Sequence, residues 1–384
     1  MKDVLTLTIN GRRFEGWTAA RVSRGVDRMA TDFILETTQR WTEESQPWRI
    51  DVYDPCVIAI DGETLMTGYV DEVAPRLEAD MHRIHVVGRS KTQDLIDCRP
   101  DVAGGQFAGY SLAAIARTIT GLFNIGLFDY SDGLADNTFS TVAIQRSETA
   151  FAFLERLGRL SGVLLSDDVN GNLVLTTAGT TRAPGAIRMG QNALSMSARL
   201  VGRERFSQYI VKAQTPIGGG TVGAINWGGF GGMPAPASTL APSVNVNARA
   251  VATDAGVPRF RPRVYVAEGA LQGSALQTRA NWLAARSFGL GTVAEVVLAG
   301  WRQQNGALWA PNQIIAVDLP PLGVNQDLLI IQVVFALDQR GRTTELRLAP
   351  ISAFTPDPGA VKLHKGRHAR AGGSVDWTGM GTAQ

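Results

Sequence analysis

Residues 4–17 read VLTLTINGRRFEGW. Leu5, Leu7 and Ile9 alternate with polar residues, the period of a strand with one buried face. Asn10-Gly11 follows. A two-residue hairpin turn requires φ > 0 at both positions, which Asn and Gly tolerate best. The stretch therefore reads as a β-hairpin, and the segments after it repeat the style. TDFILETTQRW (31–41), WRIDVYD (48–54), CVIAIDGETLMTGYVDEV (56–73, turning at Asp61-Gly62) and MHRIHVVGRS (81–90) read as strands bounded by turn residues. Residues 1–97 are expected to form a first small barrel or sandwich.

The pattern then changes. SLAAIARTITGLFN (111–124) has Ser111 as a helix cap, Leu112, Ile115, Ala116 and Ile119 at helical spacing, and Gly121 as a stop. SETAFAFLERLGRLSG (147–162) repeats the design, with Ser147 as cap, Phe151, Leu154 and Leu157 on one face, and Gly162 as stop. VLLSDDVNGNLVLTT (163–177) is a hairpin turning at Asn170-Gly171. Residues 98–190 are expected to be a small α+β domain. Strand patterning resumes in SARLVGRERFSQYIVKAQT (197–215), then breaks in the Gly/Pro-rich run PIGGGTVGAINWGGFGGMPAPASTLAP (216–242). A third helix is expected in GSALQTRANWLAARSFG (273–289), with Leu276, Ala280 and Leu283 in line. Strands follow to Pro350, with a hairpin at Gly341. Residues 191–350 are thus a second β-rich domain with an excursion at 213–262. Residues 351–384 read as a flexible basic tail.

Trp301 and Trp309 stand eight residues apart in LAGWRQQNGALWAPNQIIAVDLP (298–320). Asn305-Gly306 is the expected bend. Pro311 marks the next strand, and Ile314, Ile315 and Val317 are its expected buried part. The tryptophans then pack the second barrel, and Trp17 and Trp41 pack the first.

Totals agree with a β-rich protein made without disulfides. The chain has 384 residues, enough for two to four domains, and 42 are glycine. Its formal net charge of +2 supplies no global field for nucleic acid. Cys56 and Cys98 fall in no metal or redox spacing and are expected as free thiols. MKDVLTLTING has no apolar signal region, and no run approaches the ~18 apolar residues of a membrane span.

Chemistry is sparse. Asp167, Asp168, Asn170 and Asn172 resemble a calcium loop, but Gly171 comes too early and the closing Glu is missing, so they are expected as a polar turn. His364 and His368 have a zinc-helix spacing interrupted by glycine, with no third ligand nearby. His82 and His85 point to opposite faces of a strand. GGGTVG and GGFGG lack the helix that must hold a phosphate, because Pro234, Pro236 and Pro242 follow. Asp94 and Asp97 read as capping or solvated groups. No Gly-x-Ser-x-Gly elbow occurs. Lys362, Lys365, Arg367 and Arg370 form one basic patch, a possible contact for DNA or an acidic partner. No catalytic group, cofactor or metal site is expected.

Four ordered segments carry a family resemblance. LTLTINGRRFEGWTAARVSRGVDRMATDFILETTQRW and VVGRSKTQDLIDC resemble the first domain of Mu-like phage baseplate hub proteins. ETAFAFLERLGRLSGVLLSDDVNGNLVLT resembles their second domain, and the stretch from Arg279 to Phe354 their closing region. The resemblance spans about residues 1–212 and 260–355. It implies an α+β, β-dominated fold with two barrel-like hub domains and a small α+β insert, assembled as a ring-forming homotrimer. It implies a non-enzymatic late structural protein of the virion, assembled in the host bacterial cytoplasm. The implied partners are other copies of the chain, the central spike protein, the tail tube or distal tail protein, the tape-measure protein and baseplate wedge proteins, with DNA passing at ejection. Two alternatives remain: a tail-associated cell-wall hydrolase or cofactor-binding barrel enzyme, and a secretion-spike-like protein.

Overall fold

The computed structural model describes residues 3–26, 28–38, 50–77, 82–179, 181–216, 245–266, 274–319 and 324–355. Trp41, His364, His368, the basic residues Lys362, Lys365, Arg367 and Arg370, and most of the Gly/Pro-rich run lie outside the described residues.

The first block contains β1 (Leu5–Ile9), β2 (Arg12–Phe14), β3 (Ala19–Gly25), β4 (Asp32–Thr38), β5 (Pro55–Ile60), β6 (Glu63–Leu77) and β7 (His82–Ser90). The middle segment contains α1 (Gln93–Asp97), β8 (Gln106–Phe107), α2 (Leu112–Leu122), β9 (Leu127–Tyr130), β10 (Val142–Ala143), α3 (Ala150–Ser161), β11 (Leu164–Asp167) and β12 (Leu173–Thr176). Strands resume with β13 (Thr181–Arg188), β14 (Ala193–Leu200), β15 (Gln208–Pro216), β16 (Asn245–Thr253) and β17 (Pro262–Val266). The last elements are α4 (Ser274–Leu290), β18 (Thr292–Ala299), β19 (Gln313–Leu319), β20 (Val324–Asp338) and β21 (Gly341–Ala349). The fold is α+β and dominated by strands. Among the described residues no helix is long and apolar enough to cross a membrane.

Local turn chemistry sets the hairpins. Asn10 and Gly11 sit at φ 49° and 76°, and Asp61 and Gly62 at 48° and 87°, the mirror-image turns that match strand twist. Expected elements differ at several points. Residues 50–54, the described part of WRIDVYD, are not a strand: Tyr53 is left-handed at φ 71°, and the Asp51 N–H donates to the Asp54 carboxylate at 2.9 Å, closing a turn before β5. The cap of α3 is Thr149, whose hydroxyl accepts from the Ala152 N–H at 3.3 Å, while Ser147 lies outside the helix at φ 65°. Phe153, rather than Phe151, shares the buried face with Leu154 and Leu157. Gly121 lies inside α2, which ends at Leu122. Asn245–Thr253, read as part of the excursion, is a strand paired with β15.

One 13-stranded sheet joins both β-rich blocks in the order β14-β18-β21-β20-β3-β4-β7-β6-β5-β1-β2, with β19 and β13 branching from β20. β20 makes this possible by its length. Its first half pairs with β19, its second half with β3, and β21 lies along most of it. β13, grouped by sequence with the α+β segment, runs parallel to β19 in this sheet. The ladder is open: β2 and β14 each have a single partner. One core lies under it, running from Leu5, Leu7 and Ile9 to Leu346 and Leu348. Each such buried side chain contributes about 1.5–3 kcal/mol.

Two glycines let β6 and β7 approach closely. A Cβ on Gly68 would lie 1.9 Å from the Arg89 carbonyl oxygen, and one on Gly88 would lie 2.3 Å from the Tyr69 carbonyl oxygen. The middle segment has its own core, where Ile115, Ala116 and Ile119 of α2 meet Phe153, Leu154 and Leu157 of α3 over a β11-β12-β9 sheet. A third small body is the β16-β15-β17 sheet backed by Leu276 and Ala280 of α4.

Candidate functional site

Within the 298–320 stretch only residues 301–309 fold back on themselves, with Gly306 at φ 83°, and the flanking strands β18 and β19 pair with other strands rather than with each other. Arg302 and Leu308 pair across it. Trp301 is 1% exposed, and its indole N–H is shared between the carbonyls of Ala336 at 3.0 Å and Thr343 at 3.1 Å. Trp309 is buried in the same core, as is Trp17, but the Trp309 indole N–H has no hydrogen-bond partner among the described residues. The strand that follows begins at Gln313 rather than Pro311, because Asn312 is left-handed at φ 65°. Ile315 and Val317 are buried, whereas Ile314 is half-buried.

Arg302, between the tryptophans, is the clamp of this region. It meets Asp3 at 2.8 Å, Glu63 at 2.5 Å, Asp61 at 3.5 Å and the Gly306 carbonyl at 2.8 Å. The Val4 N–H and then Arg302 hold the Asp61 carboxyl below the usual carboxylate range. A second node lies at Asp167. Its carboxylate accepts from the Thr31 N–H at 2.9 Å, the Thr31 hydroxyl at 3.1 Å and the Ser90 hydroxyl at 2.5 Å. The Ser166 hydroxyl donates to the Gly25 carbonyl at 3.0 Å, and Thr67 to the Val169 carbonyl at 3.0 Å. The β11–β12 hairpin is thereby fastened to the first block. Asp168 organises the turn itself, accepting from the N–H groups of Asn170 and Asn172, both at 2.8 Å.

Both nodes fasten one part of the chain to another. Among the described residues no three His, Cys, Asp or Glu side chains are grouped to hold a metal. Asp97 and Asp71 both bind Arg89, at 2.8 Å and 2.7 Å. Asp94 sits above the usual carboxylate value, through burial and then the charge of Asp97. Glu148 and Asp254 lie below it because Arg156 and Arg205 bind them. Burial pushes the Cys56 thiol up to about 12, which leaves it protonated and unreactive at neutral pH. A concavity of about 440 Å³ on the outer sheet face holds Arg21 and Glu345, which already pair at 2.7 Å. Another, of about 290 Å³, lies between α3, Trp282 and Phe354 and is open and mostly apolar. Among the described residues that line them, no nucleophile is paired with a base in either.

What the molecule offers instead is edges. β14, β9 and β17 are each the last strand of a sheet and carry exposed apolar side chains: Leu194 and Leu200, Phe128 and Tyr130, Val264 and Val266. An unpaired, apolar strand edge is a template for another chain. β2, at the opposite end of the large sheet, is short and carries exposed Arg12 and Arg13.

Comparison with known proteins agrees with a chain built for assembly. Residues 4–90 match the N-terminal domain of Mu phage baseplate assembly protein GpP-like. Residues 92–177 match the second domain of baseplate hub protein gp44-like, and residues 273–357 the fourth domain of Mu phage baseplate assembly protein GpP. Baseplate hub protein gp44 of Escherichia phage Mu is 30% identical over 381 residues, covering 97% of this chain and 93% of that protein. The crystal structure of the 43 kDa tail protein of prophage MuSo2 from Shewanella oneidensis aligns with a TM-score of 0.75 at 29% identity, covering 93% of this chain and 99% of that one. A tail protein of Neisseria meningitidis MC58 shares the fold, with a TM-score of 0.69 at 19% identity, covering 92% and 98%. With three domain matches in order and similarity along nearly its whole length, the chain belongs to the Mu phage gp44-like baseplate hub family.

Proposed function

We propose that this protein is a structural component of a contractile-tail baseplate in the virion. In this reading it is the central hub, a homotrimeric ring that joins the tail tube to the central spike and surrounds the channel used by the tape-measure protein and DNA. The observation that carries the reading is the similarity to the Mu hub protein along 97% of the chain. The open 13-stranded sheet supports it, because its edge strands β14, β2 and β13 are unlike one another. Contacts between unlike ends are head-to-tail, and they close into a ring when the rotation fits. The four basic tail residues Lys362, Lys365, Arg367 and Arg370 would meet the spike, the tape-measure protein or DNA, and Trp17, Trp41, Trp301 and Trp309 would serve in packing the hub body rather than in binding a ligand.

Sedimentation and negative-stain imaging of the purified chain test the reading. The expected particle has three times the 41.1 kDa mass of one chain and a central hole. A strict monomer at tens of micromolar, the range where stable interfaces associate, contradicts it.

A further inference from the structure

We propose that the free edge of β17 receives the free edge of β9 from a second copy of this chain. The proposal rests on the ring reading above and adds a named contact to it.

The two edges are opposite in charge. Residues 255–266, AGVPRFRPRVYV, hold Arg259, Arg261 and Arg263 and no acidic residue. Residues 127–137, LFDYSDGLADN, hold Asp129, Asp132 and Asp136 and no basic residue. The arginines are presented in a fixed arrangement. Arg261 and Arg263 each lie 4.9 Å from the Phe206 ring centroid, and Arg263 lies 5.2 Å from that of Tyr265. Stacking holds a guanidinium plane while leaving N–H edges for a carboxylate. Arg261 also donates to the Arg203 carbonyl, and Arg263 has a long contact with Glu204 at 3.6 Å. Arg259 has no ion pair among the described residues, nor do Asp132 and Asp136; Asp129 accepts from the N–H and hydroxyl of Ser131 at 2.9 and 2.6 Å.

Apolar surface lies beside the charges on both edges. Phe260 is 83% exposed, Val264 51% and Val266 70%. On β9, Phe128 and Tyr130 stack at 6.4 Å while remaining 44% and 59% exposed. Backbone groups are free as well. The Ser207 N–H donates to the Arg261 carbonyl, so by alternation the N–H and C=O of Val264 and Val266 face away from β15. The Leu173 N–H donates to the Gly126 carbonyl, so those of Leu127 and Asp129 face away from β12. Among the described residues of one chain no ladder joins the two sheets. Two unlike edges meeting between copies make a head-to-tail contact, the type a closed ring uses. The matching charges choose the partner and the register.

The test uses the full chain and its assembly state by sedimentation equilibrium, with circular dichroism as the check on folding. One variant reverses the basic edge (Arg259→Asp with Arg263→Asp), another the acidic edge (Asp132→Lys with Asp136→Lys), and a third carries all four changes. The first two are expected to weaken assembly by at least about tenfold, and the third to recover it. A second measurement touches none of these charges. Tyr130→Cys with Val264→Cys, in a Cys98→Ser background, is expected to form disulfides between copies. Rings that survive either reversal, a loss that the combined variant does not repair, or an intact ring with no cross-link each overturn the contact and leave the ring reading standing. A wild-type chain that stays monomeric overturns the ring reading and the contact together.

Discussion

Asp167 and Asp168 are neighbours of one type in one turn, yet their environments give them different work. Asp168 accepts backbone N–H groups of its own loop, a role that Asn performs nearly as well. Asp167 is buried, and every recorded partner is a donor from the first block, more than seventy residues away in sequence. Replacing Asp167 with Asn turns one acceptor into an NH₂ group facing those donors. A buried donor left unsatisfied costs about 1–3 kcal/mol. Asp167→Asn is therefore expected to lower stability by roughly 2 kcal/mol in urea unfolding, and Asp168→Asn by less than about 1 kcal/mol. Equal effects from the two would mean that Asp167 is only a turn residue. The sequence carried a faint sign of this, since a polar turn built on Asp168 has no need of a second carboxylate before it.

Elements defined by local rules were legible and elements defined by distant partners were not. Asn10-Gly11 and Asp61-Gly62 announced their hairpins because the turn geometry restricts the residue type. Ser111 announced the start of α2 for the same reason, and its hydroxyl does accept from the Ala114 N–H at 3.2 Å. The shift of the α3 cap from Ser147 to Thr149 is the expected kind of error where two hydroxyl residues stand close together. Nothing local assigns β13 to the large sheet or β16 to a ladder, because their partners lie far along the chain. The same limit hid the Arg302 clamp, whose partner Asp3 is 299 positions away. Its consequence is testable. Arg302→Met strands Asp3, Asp61 and Glu63 beside one another and should lower the urea midpoint at pH 7. The pH dependence has a definite sign. Asp61 has a folded-state pKa below its unfolded one, so its stabilisation is present above the unfolded value and lost as pH falls through the folded value. The gap in urea midpoint between wild type and Arg302→Met should be full at pH 7 and shrink below about pH 4, where carboxylates protonate. A gap unchanged at pH 3 would point to lost packing instead of lost charge pairing.

On the scale of the whole molecule, the decisive element is β20. Two β-rich blocks at opposite ends of a long chain can be beads on a string or one body, and hydrophobic pattern alone does not separate the cases. Here Gln332–Leu337 pairs with β3 while the same strand pairs with β21, so one backbone belongs to both blocks. Phe335 lies at the seam, fully buried, with Val22 and Thr344 as its cross-strand neighbours. The core beneath is continuous from Leu7 to Leu348. Contacts this distant in sequence are costly to form and slow to assemble, but once made they bind the blocks into one cooperative unit. Phe335→Ala should remove about 3–5 kcal/mol. Because the seam is shared, hydrogen exchange should report that loss equally in β1 and β5 at one end and in β18 and β21 at the other. The measurement is made at fixed protein concentration, since the proposed assembly would add its own stabilisation. If only β18 and β21 lose protection while β1 and β5 keep theirs, the blocks open independently and β20 is a hinge between two bodies. Equal loss means that β14 and β2, at opposite ends of the large sheet, move as parts of one rigid wall, the property that the proposed ring would require of each copy.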